Sequence, residues 1–403
     1  METRPINVDE IRPFQEHFRR ILGFGAPTDA EVERDTKTWD LARTLATFDK
    51  GQIVGSTHSH LFEFALPGGA SVEAAGVTAV AVQTTHRRRG ILSELMRRQL
   101  GEAAERGEPV AILVASEGAI YRRFGYGIGT WAIDVEVDTR ETRGFTAPSG
   151  DGVIKVVDEN AADDSFPAIH ERARAMTPGG ILRPKSWWES IAADRKAGTE
   201  THVIYESANG SQDGYARYQI NSKWEGGIPQ HKLVGSEMMS CTPEAAAALW
   251  RHLLSADLVR MVDVWNRPVD EPLKWWLANP RALRVRAVRD HIWVRPLDVA
   301  ALLTARRYTE EVDVVLDVVD DFGGQASGRY GLIARDGVAE CSRTDRPADV
   351  LMHVSDLGSI LLGGVSLLEL HAAGRIDENS SGAVKRADDA FRWSPQPWSN
   401  QYF

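Results

Sequence analysis

Apolar residues at Val8, Ile11, Phe14, Phe18, Ile21 and Leu22 recur every three or four positions, which predicts a helix over 8–24 that Gly23 and Gly25 end. A second helix is predicted over 28–40. The period then shortens. Alternating and β-branched stretches at 43–48, 52–64 and 71–82 predict strands, separated by the turns Asp49-Lys50-Gly51 and Pro67-Gly68-Gly69. A helix at 90–106, a strand at 110–115, a short helix at 117–124 and a strand at 130–138 follow. Helices that return onto a leading group of strands predict an α/β first domain.

Residues 140–152 hold Gly144, Pro148, Gly150 and Gly152 among polar neighbours and predict a linker. Beyond it the order repeats: a strand at 153–157, helices at 164–176 and 184–194, strands at 201–206, 214–220 and 230–239, a helix at 243–255, a strand at 258–264 and a short helix at 271–277. The repetition predicts a structural duplication. A third region opens at Ile292-Trp293-Val294-Arg295-Pro296, with a helix at 298–306, a strand at 311–319, a turn at Arg335-Asp336-Gly337 and helices at 355–362 and 365–373 broken by Gly363-Gly364. The tail from Phe391 to Phe403 is rich in aromatics and proline, and such a tail is expected to dock rather than to extend into water.

The bulk numbers narrow the field. A chain of 403 residues predicts two or three domains, and 43% hydrophobic with 26% charged residues is ordinary for a globular protein. A net charge of −10 disfavours nucleic acid and anionic membrane and suits cationic substrates. Cys241 and Cys341 make neither a disulfide framework nor a metal quartet, and point to free thiols in a reducing cytoplasm. No apolar run is long enough for a membrane span, and the N-terminus lacks an apolar signal segment.

Residues 77–93 carry the most chemistry. A β-branched run stops at Val82, a turn with Arg87, Arg88 and Arg89 follows, and Gly90 opens a long helix. A helix start offers bare N–H groups and a positive dipole end to a phosphate. Gly90 lets the backbone approach closely, and the guanidinium groups add charge-assisted hydrogen bonds. This is a place for the pyrophosphate of an acyl-CoA. The competing reading is a solvated basic turn that caps a helix. At the corresponding point of the second region stands Ser240-Cys241-Thr242-Pro243, with no arginine, so a duplicated domain there has lost the cofactor site. His58 and His60 form His-x-His on one strand face without another visible ligand, so zinc is not expected. His86 lies in the phosphate loop, where loop packing is the reading.

The string Arg87-Arg88-Arg89-Gly90-Ile91-Leu92 resembles the phosphate-binding motif of the GCN5-related N-acetyltransferases (GNAT), with Leu92 where a small residue is usual. That departure points to one branch, the Eis (enhanced intracellular survival) acetyltransferases. Three further stretches resemble the branch: Ser116-Glu117-Gly118 through Tyr121 to Phe124-Gly125-Tyr126-Gly127, the segment from Trp293 to Leu302 with Ala305-Arg306-Arg307-Tyr308 after it, and the aromatic C-terminus ending in Phe403. Thr84 departs from it, where proline is frequent. The resemblance spans the chain. It implies two tandem GNAT-like domains, α/β and α+β in class, followed by an α+β domain like sterol carrier proteins, which divides the chain into 1–146, 147–290 and 291–403. It implies a homohexamer of two stacked trimers. It also places acetyl-CoA, with no metal, on Val80, Ala81, Val82, Arg88, Arg89, Gly90, Ile91, Leu92, Ser93, Ser116 and Glu117.

Acetyl transfer needs a neutral amine, a stabilised oxyanion and a proton for the departing thiolate. A lysine-like amine titrates near ~10.4 and must first lose a proton. A backbone N–H near Val82 could bind the oxyanion. Tyr121 follows the strand at 110–115 and so falls at its carboxyl end. The resemblance implies that Tyr121 is the general acid and that the terminal carboxylate of Phe403 is the base. Tyr126, the alternative acid, reads as packing. The expected acceptors are small cationic amines, such as aminoglycosides, or lysine side chains. The alternative is a non-catalytic lipid or small-molecule binder built on the carrier-like domain. A nucleic-acid binder using Arg87, Arg88 and Arg89 is disfavoured by the net charge.

Overall fold

The computed structural model describes residues 1–195 and 199–403. They form two compact units. One contains Met1–Thr130, His291–Trp393 and Tyr402–Phe403; the other contains Trp131–Asp290 and Ser394–Gln401. The chain therefore leaves the first unit after Thr130 and returns at His291. The strand expected at 130–138 is Trp131–Asp138, and it pairs in the sheet of the second unit, while Ile292–Pro296 pairs in that of the first. Alternation predicts a strand. It does not say which sheet will take it, because pairing partners lie far off in sequence.

In the first unit a seven-stranded sheet runs in the order Glu2–Pro5, Thr44–Asp49, Gln52–Ala65, Ser71–Val82, Val110–Val114, Ile292–Pro296, Gly127–Ile128. The helix Ile11–Leu22 ends at Gly23 in the left-handed conformation and buries Ile11 and Phe14, in a cluster with Ala46 and Ala79. The helix Ile91–Glu105 buries Ile91, Leu95, Met96, Leu100 and Ala103. Met96 and Leu100 pack with Ala75, Val77, Ala111 and Leu113 of the sheet. Each large side chain so buried contributes roughly 1.5–3 kcal/mol. This clamps the helix start against the strand that leads into it. The same unit holds a five-stranded sheet, Val338–Arg343, Gly328–Arg335, Val312–Val319, Val350–His353, Ile376–Glu378. Its helices are Val299–Ala305, capped by Asp298, then Val354–Ile360, Leu367–Ala372 and Ala383–Phe391.

The second unit has a seven-stranded sheet in the order Leu283–Asp290, Trp131–Asp138, Val259–Pro268, His231–Ser240, Gln212–Asn221, Thr201–Glu206, Val153–Val157. Its helix Pro243–Leu254 follows the strand His231–Ser240, as the phosphate-loop helix follows its strand in the first unit. Here the hydroxyl of Thr242 accepts from the Ala245 N–H, and a proline supplies the first helical residue. One N–H is absent and another is already satisfied, so this turn has little to offer a phosphate. The tail residues of this unit are docked, as their composition predicts: the Trp398 N–H donates to the Pro178 carbonyl at 2.9 Å, and its indole N–H donates to the Asn266 carbonyl at 3.1 Å.

Several elements differ from the sequence reading. The short helix expected at 117–124 is a single 3₁₀ turn, Tyr121–Phe124. The helix expected from 164 starts at Glu159, because Asp158 caps it with a bond to the Ala161 N–H; of its first turn only Ala162 is buried, so the apolar pattern starts late. The strand Glu2–Pro5, the strand Leu283–Asp290 and the helix Ala383–Phe391 are additional.

Candidate active site

The site begins with two strands that part. Ser71–Val82 and Val110–Val114 are parallel neighbours, paired from Ala74↔Val110 to Gly76↔Ile112. Beyond that point they diverge. On its other side Ser71–Val82 carries a bulge between the pairs Ser56↔Ala81 and His58↔Thr78, where Ala79 takes a φ of 52°. A bulge turns the following residues out of register and re-aims them. Val80, Ala81 and Val82 thereby come to line one side of a cleft of ≈ 460 Å³, and Ser116, Glu117, Ile120 and Tyr121 line another.

The turn after Val82 supplies the floor. Arg88 has a φ of 63° and Gly90 a φ of 80°. Alternating hands of this kind turn successive N–H groups toward one side and form an anion-binding concavity. Gly90 is also the residue before the first helical position, so the N–H groups of Ile91, Leu92 and Ser93 are the first, unpaired ones of a 15-residue helix. Arg87, Arg88, Gly90, Ile91, Leu92 and Ser93 all line the cleft. Arg89 does not; it belongs to the same turn but its side chain is exposed. His86 lines the cleft as well, and its Nε2 pairs with Asp49 Oδ2 at 3.2 Å, a contact that ties the loop to a neighbouring strand end. Sequence reasoning did not single out Ile21, Leu22 and Arg123, which complete the wall. The paired arginines Arg122-Arg123 beside Tyr121 were the available signal for the last of these.

Tyr121 is 4% exposed and opens the 3₁₀ turn at the cleft margin. Burial pushes its phenol above the ordinary value, and a hydrogen bond with the Ser116 side chain pulls the other way. The group therefore keeps its proton at neutral pH, the state a proton donor needs. Tyr126 lies 6.0 Å away, ring to ring, in an edge-on arrangement, and is fully buried. It serves as packing under Tyr121.

Phe403 stands apart from the cleft lining. Its ring meets Phe62 edge-on at 4.9 Å. A Cβ on Gly76 would collide with the Phe62 ring and come within 3.3 Å of Phe403. Gly76 is the last residue paired before the strands part, so the final residue of the chain docks on the sheet at the root of the gap.

The chain is similar to known proteins along its length. Residues 2–129 match an acetyltransferase (GNAT) domain, residues 179–296 match another acetyltransferase (GNAT) domain, and residues 299–400 match a sterol carrier protein domain. An uncharacterized N-acetyltransferase from Streptomyces avermitilis is 38% identical over 94% of both chains. The N-acetyltransferase Eis of Mycobacterium bovis is 35% identical over 84% of this chain and 83% of its own. The crystal structure of Eis1 from Mycobacterium abscessus superposes with a TM-score of 0.88 at 32% identity, covering all of both chains. Two tandem GNAT domains, a sterol-carrier-like domain and relatives alike over most of their length have one common explanation: this chain belongs to the Eis family of GCN5-related N-acetyltransferases.

Proposed function

We propose that the cleft binds acetyl-CoA and that the protein transfers its acetyl group to a primary amine of a small cationic acceptor, such as an aminoglycoside, or to a lysine side chain. The observation that carries this reading is the parting of Ser71–Val82 from Val110–Val114 directly above the Arg88–Gly90 nest. Strand edges that no longer pair with each other offer N–H and C=O groups to an amide-bearing chain such as a pantetheine arm. The helix start and Arg87 and Arg88 suit the pyrophosphate. The cosubstrate supplies an activated acyl group. Everything else is asked of the protein: a main-chain N–H at Val82 for the oxyanion, a proton from Tyr121 for the leaving thiolate, and the terminal carboxylate of Phe403 to receive the amine proton. A free carboxylate, of pKa roughly 3.5, is a weak base for an ammonium, so its contribution lies in orienting the amine and passing its proton on through water.

The test is direct. Acetyl-CoA should raise the melting temperature, and thiol release should appear with a panel of polyamines, aminoglycosides and lysine peptides. A protein that neither binds acetyl-CoA nor releases thiol with any of them refutes the proposal.

A further inference from the structure

Phe322 touches two elements that line the cleft. Its ring meets Phe124, the last residue of the Tyr121–Phe124 turn, edge-on with centroids 4.9 Å apart. The guanidinium of Arg97, on the helix Ile91–Glu105, lies 5.4 Å from the centre of the same ring. Phe322 comes from the segment similar to a sterol carrier protein domain, and it shares the first unit with the cleft. Apart from the last residue of the chain, the proposed acetyl transfer gives that segment no task.

A buried ion pair holds Phe322. The side chains of Arg295 and Asp320 are 2% and 0% exposed, and Nη2 of the arginine lies 2.8 Å from Oδ2 of the aspartate. The same Nη2 donates to the Phe322 carbonyl at 3.0 Å, and Nη1 donates to the Pro296 carbonyl at 2.9 Å. The carboxylate also accepts from the Phe322 N–H at 3.1 Å and from the Ala326 N–H at 3.2 Å. Taking two charges out of water is costly, and apolar packing of the same volume is often as stable. What the pair supplies is direction, because between them its members hold both main-chain groups of Phe322. Arg295 reaches the tyrosine turn as well. Gly125 ends that turn with a φ of 84°, and a Cβ there would fall 2.6 Å from Arg295 Nε. The turn therefore rests on Phe322 at Phe124 and on Arg295 at Gly125.

A single 3₁₀ turn has little stability of its own, because fixing its residues gains few hydrogen bonds. The place of the Tyr121 phenol is set by what the turn packs on. We infer that Phe322, fixed by Arg295 and Asp320, is a positioning residue for Tyr121, and that this is what the sterol-carrier-like domain does for the transfer reaction. The inference rests on the proposed role of Tyr121 as proton donor. A donor must lie within hydrogen-bond reach of the group it protonates, so slack in the turn lowers rate rather than binding. The floor of the cleft should not follow Phe322. Met96 and Leu100 anchor the helix Ile91–Glu105 in the core, and a contact from Arg97, whose side chain is 60% exposed, is weak beside that.

The experiment is a kinetic cycle on the full chain: wild type, Phe322→Ala, Tyr121→Phe and the double variant. Acetyl-CoA affinity, kcat and KM are measured with whichever polyamine, aminoglycoside or lysine peptide releases thiol fastest. Phe322→Ala should lower kcat roughly tenfold with KM and acetyl-CoA affinity unchanged, and Phe322→Tyr, which keeps the ring, should restore most of the rate. In the Tyr121→Phe background, Phe322→Ala should lower the rate no further, because the group it positions is gone. A general loosening of the structure would cost the same factor in both backgrounds. That additive result overturns the inference, and so does a wild-type kcat in Phe322→Ala beside a slow Tyr121→Phe. Phe322→Leu keeps the apolar bulk without the ring and carries the same comparison if the alanine variant does not fold. A Tyr121→Phe variant as fast as the wild type refutes the proton-donor reading itself, and a wild type that releases no thiol with any amine refutes acetyl transfer, so the failures are told apart.

Discussion

Phe62 and Phe403 lie 341 positions apart in the sequence (403 − 62), and their rings meet at 4.9 Å over a glycine, Gly76, which leaves the room they need. The contact fixes where the chain terminus lies relative to the parted strands of the same unit. It also makes the role of Gly76 testable.

Gly76→Ala places a methyl group against the Phe62 ring and close to Phe403. Overpacking of this kind costs about 1–3 kcal/mol of stability. If the terminal carboxylate receives the amine proton, as proposed, the larger effect should be on turnover, because a displaced carboxylate would no longer meet the amine; a misplacement near 1 Å can cost about a hundredfold. Acetyl-CoA affinity should hold. Steady-state kinetics beside a binding titration would check this, and a kcat equal to the wild type would show that the docking of Phe403 is irrelevant to catalysis.

Adding a residue after Phe403 moves the carboxylate without touching the sheet. If that group receives the amine proton, kcat should fall by roughly 10²–10⁴-fold. Turnover unaffected by the extension would remove Phe403 from the mechanism while leaving the cleft intact.

Arg88→Ala and Tyr121→Phe should separate cleanly. Arg88 belongs to the nest, so its loss should weaken acetyl-CoA binding on the order of tenfold, as expected for one charge-assisted hydrogen bond. Tyr121→Phe keeps the ring and removes the proton, so kcat should drop about a hundredfold with little change in acetyl-CoA affinity. The reverse pattern would exchange the two roles.

Stability should depend on pH through buried histidines. His17, His60 and His170 each titrate near 4 in the fold, against 6.5 when exposed, and burial is the main cause in each. Between those values the unfolded chain binds more protons than the folded one, so acidification favours unfolding; above 6.5 the contribution is complete and flat. The ceiling is about 1.4 kcal/mol per histidine for each pH unit in the window. Glu237, held at about 2 despite its burial by Arg183 and Arg217, extends the decline below 4.5, where its unfolded counterpart takes up a proton. Melting curves should shift downward from pH 6.5 toward 4, and His60→Phe should flatten that slope. A melting temperature constant across the window would contradict the account.

The strand, turn and helix around Arg87–Gly90 were legible because their signals are local: a strand that stops, a basic turn, a glycine and a periodic helix lie within 17 residues, 77–93. Arg87, Arg88 and Gly90 line one cleft. What sequence could not show depends on pairing. The exchange of Trp131–Asp138 and Ile292–Pro296 between sheets is set by partners far away in the chain. The strand Leu283–Asp290 carries Arg284, Arg286 and Arg289, and its valines Val285 and Val288 are largely exposed, so its pattern is a weak strand signal. His58 and His60 were visible as a motif. The contact of His58 with Thr44 depends on pairing with the adjacent strand, which the motif does not show.

The parted strands carry a consequence for change over time. Side chains that grip a ligand can be lost one at a time, whereas a main-chain N–H is lost only to proline, which disturbs the strand or helix that carries it as well. The wall at Val80, Ala81 and Val82 and the N–H groups at the helix start are the main-chain part of a cleft that also holds the side chains of Arg87, Arg88 and Tyr121. A compound that gripped only the main chain there would be escaped by bending the bulge at Ala79, and under the proposed function the same bend would spoil the cleft for the enzyme's own cosubstrate.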